Sequence, residues 1–510
     1  MKCVISGEEL KNVMSEAVNL LCNTVTATLG PTGNNVLINN SDTTPFITND
    51  GVTIASNIES SDPRINTVLE IVKEASLKTN ELVGDGTTTT LVLLESIFNL
   101  GLEAINNGVN PIKLKNNLSK TLDKLLIEID KYKMNPRDKD YKTIATISSN
   151  DTEIGEITSN IFSKVKSKYA CKLEESSTEE TYFKINKGYN VPIRNISNLY
   201  FKNQKNIELD NVSVLVLKGY LNSLEEISEV INTGLDDKNI LIFVEEMEES
   251  IKQELLVYYL TNNKNIFIVE LEEYGIHREK IEEDISVLSD CIIKNVNYEP
   301  VNISDLGLVK SISINNEDII LSVDNNRSNE LIKIIKEELG NTVSEYEKEF
   351  IRTRLSKLEE GIATIYVGGK TKTEKRERLM RFEDALCALE VSKNGVVYGE
   401  GITYLKIRDV LNNEDTSDSI MFNSLEKPLE KVLSNLGLDN NIKKDIINSN
   451  YNKIYDCNSN SLIDIDNCNI LDPIDVVKVT LKNSISIASL LLTTSSLVIN
   501  ENDKLEKDII

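Results

Sequence analysis

Gly84-Asp85-Gly86-Thr87-Thr88-Thr89-Thr90, set directly ahead of the apolar run LVLLESIFNL, is the segment of this chain best equipped to hold a phosphate. Glycines on either side of an acid let the backbone approach a ligand closely. A Thr run at a helix start offers unpaired amides and hydroxyls, where donors and helix dipole together favour an anion. Asp85 adds a hard oxygen suited to Mg²⁺ carried by a nucleotide. A plain Thr-rich helix cap answers to the same pattern, and no GxxxxGK[ST] is present. Two further polar turns stand upstream, Thr28-Leu29-Gly30-Pro31 followed by Thr32-Gly33-Asn34, and Thr48-Asn49-Asp50-Gly51-Val52. Each is a turn signal, and each can place a polar group beside a phosphate.

Composition narrows what these turns serve. The 510 residues carry 56 Lys+Arg against 81 Asp+Glu, a net charge of −25, which argues against a nucleic-acid binder and against docking on anionic lipid. His277 is the single histidine, so a multi-His metal site is excluded. Its setting, YGIHREK, reads as a surface loop. Seven scattered cysteines with no CxxC pair, and an N-terminus without a long apolar stretch, read as reduced thiols in a cytoplasmic protein. The longest apolar stretch, Ile485–Ile499, is shorter than the ~20 residues of a spanning helix and reads as a buried one.

The elements that must position the polar turns fall into two kinds. The first ~130 residues read as helical: Leu10, Val13, Met14, Ala17, Val18, Leu21 and Val25 recur at spacings of three and four. Short extended runs, VLINN and FITNDGVTIA, interrupt them, and a further striped helix covers Ile65 to Val83. From about Gly395 the same helical character returns, with long amphipathic helices and Asn/Asp-rich connections. Between about Gly188 and Gly361, short β-like runs (VSVLVLKG, NILIFVEEM, NIFIVEL) alternate with helices, the pattern of an α/β domain. The two flanks then pack into one helical domain around an inserted α/β domain.

Taken in order, TLGPTGNNV, ITNDGVTIASNIE, GDGTTTTLVL and GVNPIKLKNN resemble the equatorial half of the group I chaperonins, the GroEL type. TISSND, then Arg381-Phe382-Glu383-Asp384-Ala385-Leu386, NGVVYGEGI, EKPLEKVLSNLG and CNILDPIDVVKVTLKNSISIASLLLTT, are similar to the family's intermediate segments and C-terminal helices. The resemblance spans nearly the whole chain and is weakest in the middle. It implies a multidomain α and α/β chaperonin fold: equatorial 1–131 and 394–510, intermediate 132–187 and 362–393, apical 188–361.

The resemblance also implies an ATPase that uses Mg²⁺, with K⁺ as a further ion. Thr28, Leu29, Gly30 and Pro31 would shape the loop over the phosphates, Asn49 would lie beside them, and Asp85 would hold the metal. Gly86, Thr87, Thr88 and Thr89 would cradle the β and γ phosphates. Asp384 would orient the attacking water with Asp50 nearby, while Asp472 meets the ribose and Gly399, Glu400 and Asp456 flank the nucleoside. In the apical part, Tyr200, Phe201, Ile227, Val230, Leu255 and Tyr259 would expose an apolar groove for unfolded polypeptides and for the loop of a small co-chaperonin lid. Subunits would assemble into seven-membered rings, and Lys2–Ser6 could pair with a neighbour's edge strand. Three departures stand out: Asn49 replaces a Lys, Glu400 interrupts a run of three glycines, and Asp456 replaces an Asn. They motivate an alternative, a holdase or accessory subunit that binds unfolded chains without efficient turnover.

Overall fold

The striped residues of the first segment close one face of the helix Gly7–Thr26, and Ala17, Val18, Leu21 and Val25 are wholly buried. Each such aliphatic side chain removed from water contributes about 1.5–3 kcal/mol. The structure, a computed structural model, describes residues 2–39, 45–186, 188–194, 196–201, 206–235, 239–262, 265–322, 325–359, 361–412, 415–457, 459–465 and 470–500. The chain forms two compact units, one of residues 1–163 with 369–510 and one of residues 164–368.

In the first unit, Gly7–Thr26 packs with the helices Pro63–Val83, Thr87–Asn106, Pro111–Asp130 and Ile474–Thr493 around a common core that includes Leu69, Leu94, Phe98, Leu118 and Leu481. Caps set several of the helix starts: Asp62 accepts from the Arg64 amide at 2.9 Å, and Asn110 from Lys113 at 3.0 Å, each with Pro at the first helical position. Thr87–Asn106 and Ile474–Thr493 are long and apolar enough to cross a membrane by length and hydropathy. Both are core helices here, because their apolar residues recur around more than one face and neighbouring helices cover them.

Four local readings change. FITNDGVTIA is extended only over Phe46–Thr48, because Asp50 caps a short helix, Gly51–Asn57. The Ile485–Ile499 stretch is helix only to Thr493 and then strand, Ser496–Asn500. That strand takes Lys2–Ser6 as its own antiparallel partner, so the N-terminal strand is paired within the chain. Beyond Gly395 the only long helix among the described residues is Ile474–Thr493; the others span six to nine residues.

The second unit is α/β, as the alternation predicts. Its main sheet has seven strands. Ile207–Leu221 is central, with Asn239–Met247 and then Ile266–Glu270 parallel on one side. On its other edge it pairs Gly307–Ile314 antiparallel and Ile293–Asn295 parallel, and Asp318–Ser322 and Tyr189–Pro192 follow outward. A three-stranded sheet, Cys171–Glu175, Ile362–Val367 and Tyr182–Asn186, belongs to the same unit. The segments expected as one intermediate domain therefore divide: the helices Asp138–Ser149, Thr152–Val165 (nearly all of it) and Lys372–Ser392 go with the first unit, and these strands with the second. His277 is not a loop residue. It sits on the helix Gly275–Ser289, its ring stacked 3.9 Å from Phe350.

Candidate functional site

The Pro63–Val83 helix ends on Gly84, and two residues later Gly86 opens the Thr87 helix at φ 81°. Only glycine takes that left-handed turn without strain, and a Cβ on Gly86 would stand 2.7 Å from the methyls of Val476 and Thr480. The turn thus presses onto the Ile474 helix, leaving the first amides of the Thr87 helix without intrahelical partners. Thr90 is the first to bond back, its amide reaching the Gly86 carbonyl at 2.9 Å. A Cβ on Gly51 would lie 2.6 Å from the Thr88 hydroxyl and 2.8 Å from that of Thr87. That closeness sets the Asn49-Asp50 turn against the Thr run. Asp50 itself accepts from the amides of Val52 at 3.2 Å and Thr53 at 2.8 Å.

The Thr28 to Pro31 turn is held from a distant part of the chain. Asn435 donates to the carbonyls of Thr26 at 3.1 Å and Leu29 at 2.8 Å, and Gly30, at φ 89°, backs onto Val432. Thr28 is buried and its hydroxyl donates to the Val25 carbonyl at 2.8 Å, Leu29 and Gly30 are partly exposed, and Pro31 is exposed. Asn435 was missed from the sequence. Nothing local marks it, since its partners lie some 400 positions away.

Asp384 comes from the Lys372–Ser392 helix of the same unit. Burial holds its carboxyl well above the usual range, and the charges of Asp50, Asp85 and Glu383 add to this, with Arg381 opposing. Asp85 is raised first by burial; the bond it accepts from the Gly86 amide at 2.5 Å lowers it, the nearby Ser148 hydroxyl, which makes no hydrogen bond of its own, acts the same way, and Asp50 raises it again. Asp50, Asp85 and Asp384 therefore feel one another's charge. Ser148, from TISSND, is the second residue that residue-type reasoning did not single out.

The residues expected at the nucleoside are brought together by strand pairing. Val396–Tyr398 pairs with Leu471–Pro473, which sets Gly399 so that a Cβ there would lie 2.9 Å from an Asp472 carboxylate oxygen. Asp472 is pushed up to about 7 by burial and then by the charge of Asp85. Glu400 occupies a left-handed conformation, φ 53°, and is pushed up to about 8 by burial, then Asp472 and Asp456. Its side chain is half-buried, close enough to Asp472 and Asp456 to feel their charge.

The fit to a divalent cation follows from this surplus. Among the described residues no three His, Cys, Asp or Glu side chains converge closely enough to cage a metal unaided. That suits Mg²⁺, which keeps near-octahedral geometry and is commonly held by one or two carboxylates plus phosphate oxygens. An anionic triphosphate beside three acids, with neutral Asn49 at the turn, also needs such a cation for charge balance.

The apical expectation is corrected. Tyr200, Phe201, Ile227, Val230, Leu255 and Tyr259 are all buried in the second unit. Tyr200, Tyr259 and Phe267 form a ring cluster with centroids 5.1–5.5 Å apart, and Ile227, Val230 and Leu255 pack against the sheet. On the Glu249–Asn262 helix the exposed apolar residues are instead Val257, 57% exposed, and Leu260, 46%, with Leu199 at 60% beside Tyr200. The reason is helical period: Leu255 and Tyr259, four apart, share the inward face, while Val257 lies two residues from each.

Known proteins agree with this architecture. The family model for the TCP-1/cpn60 chaperonin family matches residues 21–502. The chaperonin GroEL of Carsonella ruddii (strain PV) is 30% identical over 519 aligned residues, covering 98% of each chain. The chaperonin gp146 of bacteriophage EL 2 (Pseudomonas aeruginosa), crystallised in the presence of ATP-BeFx, superposes with a TM-score of 0.69 in crystal form I, at 20% identity over 98% of this chain and 99% of that one. In crystal form II the TM-score is 0.61 at 19% identity, with the same coverage. On fold, length and family match together, this chain belongs to the TCP-1/cpn60 chaperonin family.

Proposed function

We propose that this chain, an ATP-dependent chaperone for protein folding by its family, hydrolyses ATP in the acidic cleft around the Thr87 helix. The observation that carries the reading is the meeting of Asp50, Asp85 and Asp384 beside unpaired helix amides. The amides of Thr87, Thr88 and Thr89 would receive the phosphate oxygens, while Thr28 to Pro31 and Asn49 bound the same end. Asp85 would hold Mg²⁺, which would supply neutralisation of the charge that develops in phosphoryl transfer. Asp384 would orient the attacking water and take its proton, with Asp50 beside it. Phosphoryl transfer is mainly positioning and electrostatics, so a single-histidine protein is adequate to it. Asp472, Gly399, Glu400 and Asp456 would face the nucleoside.

The three-domain division remains the working description of movement, with Asp384 on a segment that closes on the nucleotide. Unfolded polypeptide would be captured by exposed apolar side chains, here Leu199, Val257 and Leu260, because apolar burial is non-directional and takes any non-native chain. A co-chaperonin lid loop would use the same surface. Two small two-stranded sheets support assembly with further copies into a ring, seven-membered by resemblance. Leu37 and Ile47 are exposed on Val36–Ile38 and Phe46–Thr48, and Val4 and Val498 on the terminal pair. The cytoplasm is the compartment this reading assigns.

ATP hydrolysis by the purified protein, run beside Asp384→Ala with the particle mass measured in parallel, tests the proposal. Turnover that collapses in the variant, from a particle many subunits in mass, is the expected result. An assembled particle without turnover would overturn the ATPase assignment.

A further inference from the structure

At the C-terminal ends of the parallel strands in the second unit stands a set of charges that nucleotide chemistry does not use. Glu282, on the Gly275–Ser289 helix, is 0% exposed, and neither carboxylate oxygen has a hydrogen-bond partner. Lys218 Nζ lies 3.5 Å from one oxygen and Arg278 Nε 3.8 Å from the other, ion-pair distances that leave the Arg278 Nε itself without a hydrogen bond. Arg278 turns its Nη2 to Glu245 at 3.2 Å, and Glu245 in turn accepts from the Gly219 amide at 2.9 Å. Gly219 follows Lys218, so the set closes on itself.

The loop closes where the sheet changes register. Pairing of Ile207–Leu221 with Asn239–Met247 slips between Leu217 and Tyr220, and Gly219 takes φ 90° at that point. Beyond it Tyr220 donates to Glu248 at 2.7 Å, the residue before the Glu249–Asn262 helix, and the chain leads on to the helix Ser228–Leu235. Ser228–Leu235 follows the bulged strand after a short 3-10 turn, and Glu249–Asn262 follows its paired strand Asn239–Met247 and carries Val257 and Leu260.

A buried carboxyl with incomplete hydrogen bonding is costly in its charged form. We infer that Glu282 is a pH-sensitive latch: protonated, it leaves Arg278 to Glu245 and so pins the Gly219 bulge; ionised, it competes for Arg278, repels Glu245 and loosens the bulge and the helices beyond it. Burial, then Glu245, pushes the Glu282 carboxyl up to about 7, with Lys218 and Arg278 opposing, so both states are populated near neutrality. On the elements packed against its helix, Lys294 pairs with Asp305, Arg327 with Asp290, Lys336 with Glu359 and Glu338 with Arg354, while Glu208, Asp210, Lys310, Glu330, Lys333 and Glu337 are exposed; on the helix itself Asp284 pairs with Arg354 and Lys280 with Glu283.

Hydrogen exchange of the full-length protein, read by mass spectrometry on a peptide spanning Gly219 and Tyr220, tests this from pH 6 to 8.5 after correction for intrinsic rates. Protection should fall by about tenfold, the equivalent of one pKa unit of coupling, with a midpoint near 7. Glu282→Gln should hold the low-pH protection throughout. Glu245→Gln should move the midpoint down and Lys218→Met should move it up, opposite shifts that a merely structural role would not produce. A flat wild-type profile, or shifts of the same sign, would overturn the latch. The consequence for capture rests on the proposed function: binding of fluorescently labelled, permanently unfolded casein should follow the same midpoint. Casein that fails to bind at every pH would refute the capture reading, while the exchange profile still decides the latch.

Discussion

The two units treat their functional residues in opposite ways. In the first, residues read from motifs draw together: the Asp50-Gly51 turn lies against the start of the Thr87 helix, and Asp384 is near enough to feel Asp50 and Asp85. In the second, every apolar residue expected at the surface is in the core, and neighbours not singled out are exposed. The difference teaches which signals are local. Glycines, caps and acids in a polar turn have few structural uses, so their types nearly specify their places. A leucine on a helix serves core and capture surface equally well, and only the helix's rotation decides which.

The largest expected effect probes the convergent side. Asp384→Ala should lower kcat for ATP hydrolysis by about 10²–10⁴-fold with little change in KM, the range for loss of a positioned base. Steady-state kinetics at saturating Mg²⁺ check it, and a drop under threefold would break the claim of convergence.

The next prediction sharpens the contrast inside one helix. Leu255→Ala, at a position 1% exposed, should destabilise the second unit by about 2–5 kcal/mol. Val257→Ser should change stability by under about 0.5 kcal/mol yet weaken binding of unfolded casein. Denaturant melts and casein titration together decide it. Equal destabilisation by both variants would erase the distinction between the faces.

Smaller effects concern the departures from the family pattern. Glu400→Gly should stabilise the nucleotide-free first unit by about 1 kcal/mol, since a side chain at φ 53° and a buried acid both disappear. Its pH dependence has a definite sign. Glu400 has a folded pKa of about 8, raised above its ordinary value, so the native state binds more protons between the two. Stability should therefore fall as pH rises from about 4.5 to about 8, and the glycine variant should flatten that slope. Thermal melts at pH 6 and pH 8 measure it. Smallest of all, Asn435→Ala should cost about 0.5–1.5 kcal/mol by freeing the carbonyls of Thr26 and Leu29, and should raise KM for ATP more than it lowers kcat.

Much of the fold was legible. The stripe from Leu10 to Val25, the striped helix from Ile65 to Val83 and the strand-helix alternation after Gly188 all reflect periods that a few consecutive residues encode. The misreadings sit at chain reversals. FITNDGVTIA alternates like a strand, but Asp50 caps a helix inside it, and Ile485–Ile499 breaks at Thr493 because its last residues find Lys2–Ser6 as a strand partner. At the site, Ser148 and Asn435 went unseen as individual residues because serine and asparagine are ordinary until a distant acid or carbonyl gives them work.

By itself the sequence determined the polar turn proposed to hold phosphate, the acids that could surround it and the order of helical and α/β regions, because these depend on residue type and on spacings within one or two turns of chain. Only the tertiary structure decided that Asp472 feels the charge of Asp85 and Glu400 that of Asp472, that the Tyr200 cluster is core, and that Glu282 is sealed beside Arg278 without a hydrogen bond. Burial and electrostatic coupling are properties of what surrounds a side chain. The surroundings are supplied by residues far away in sequence, and no local pattern carries them.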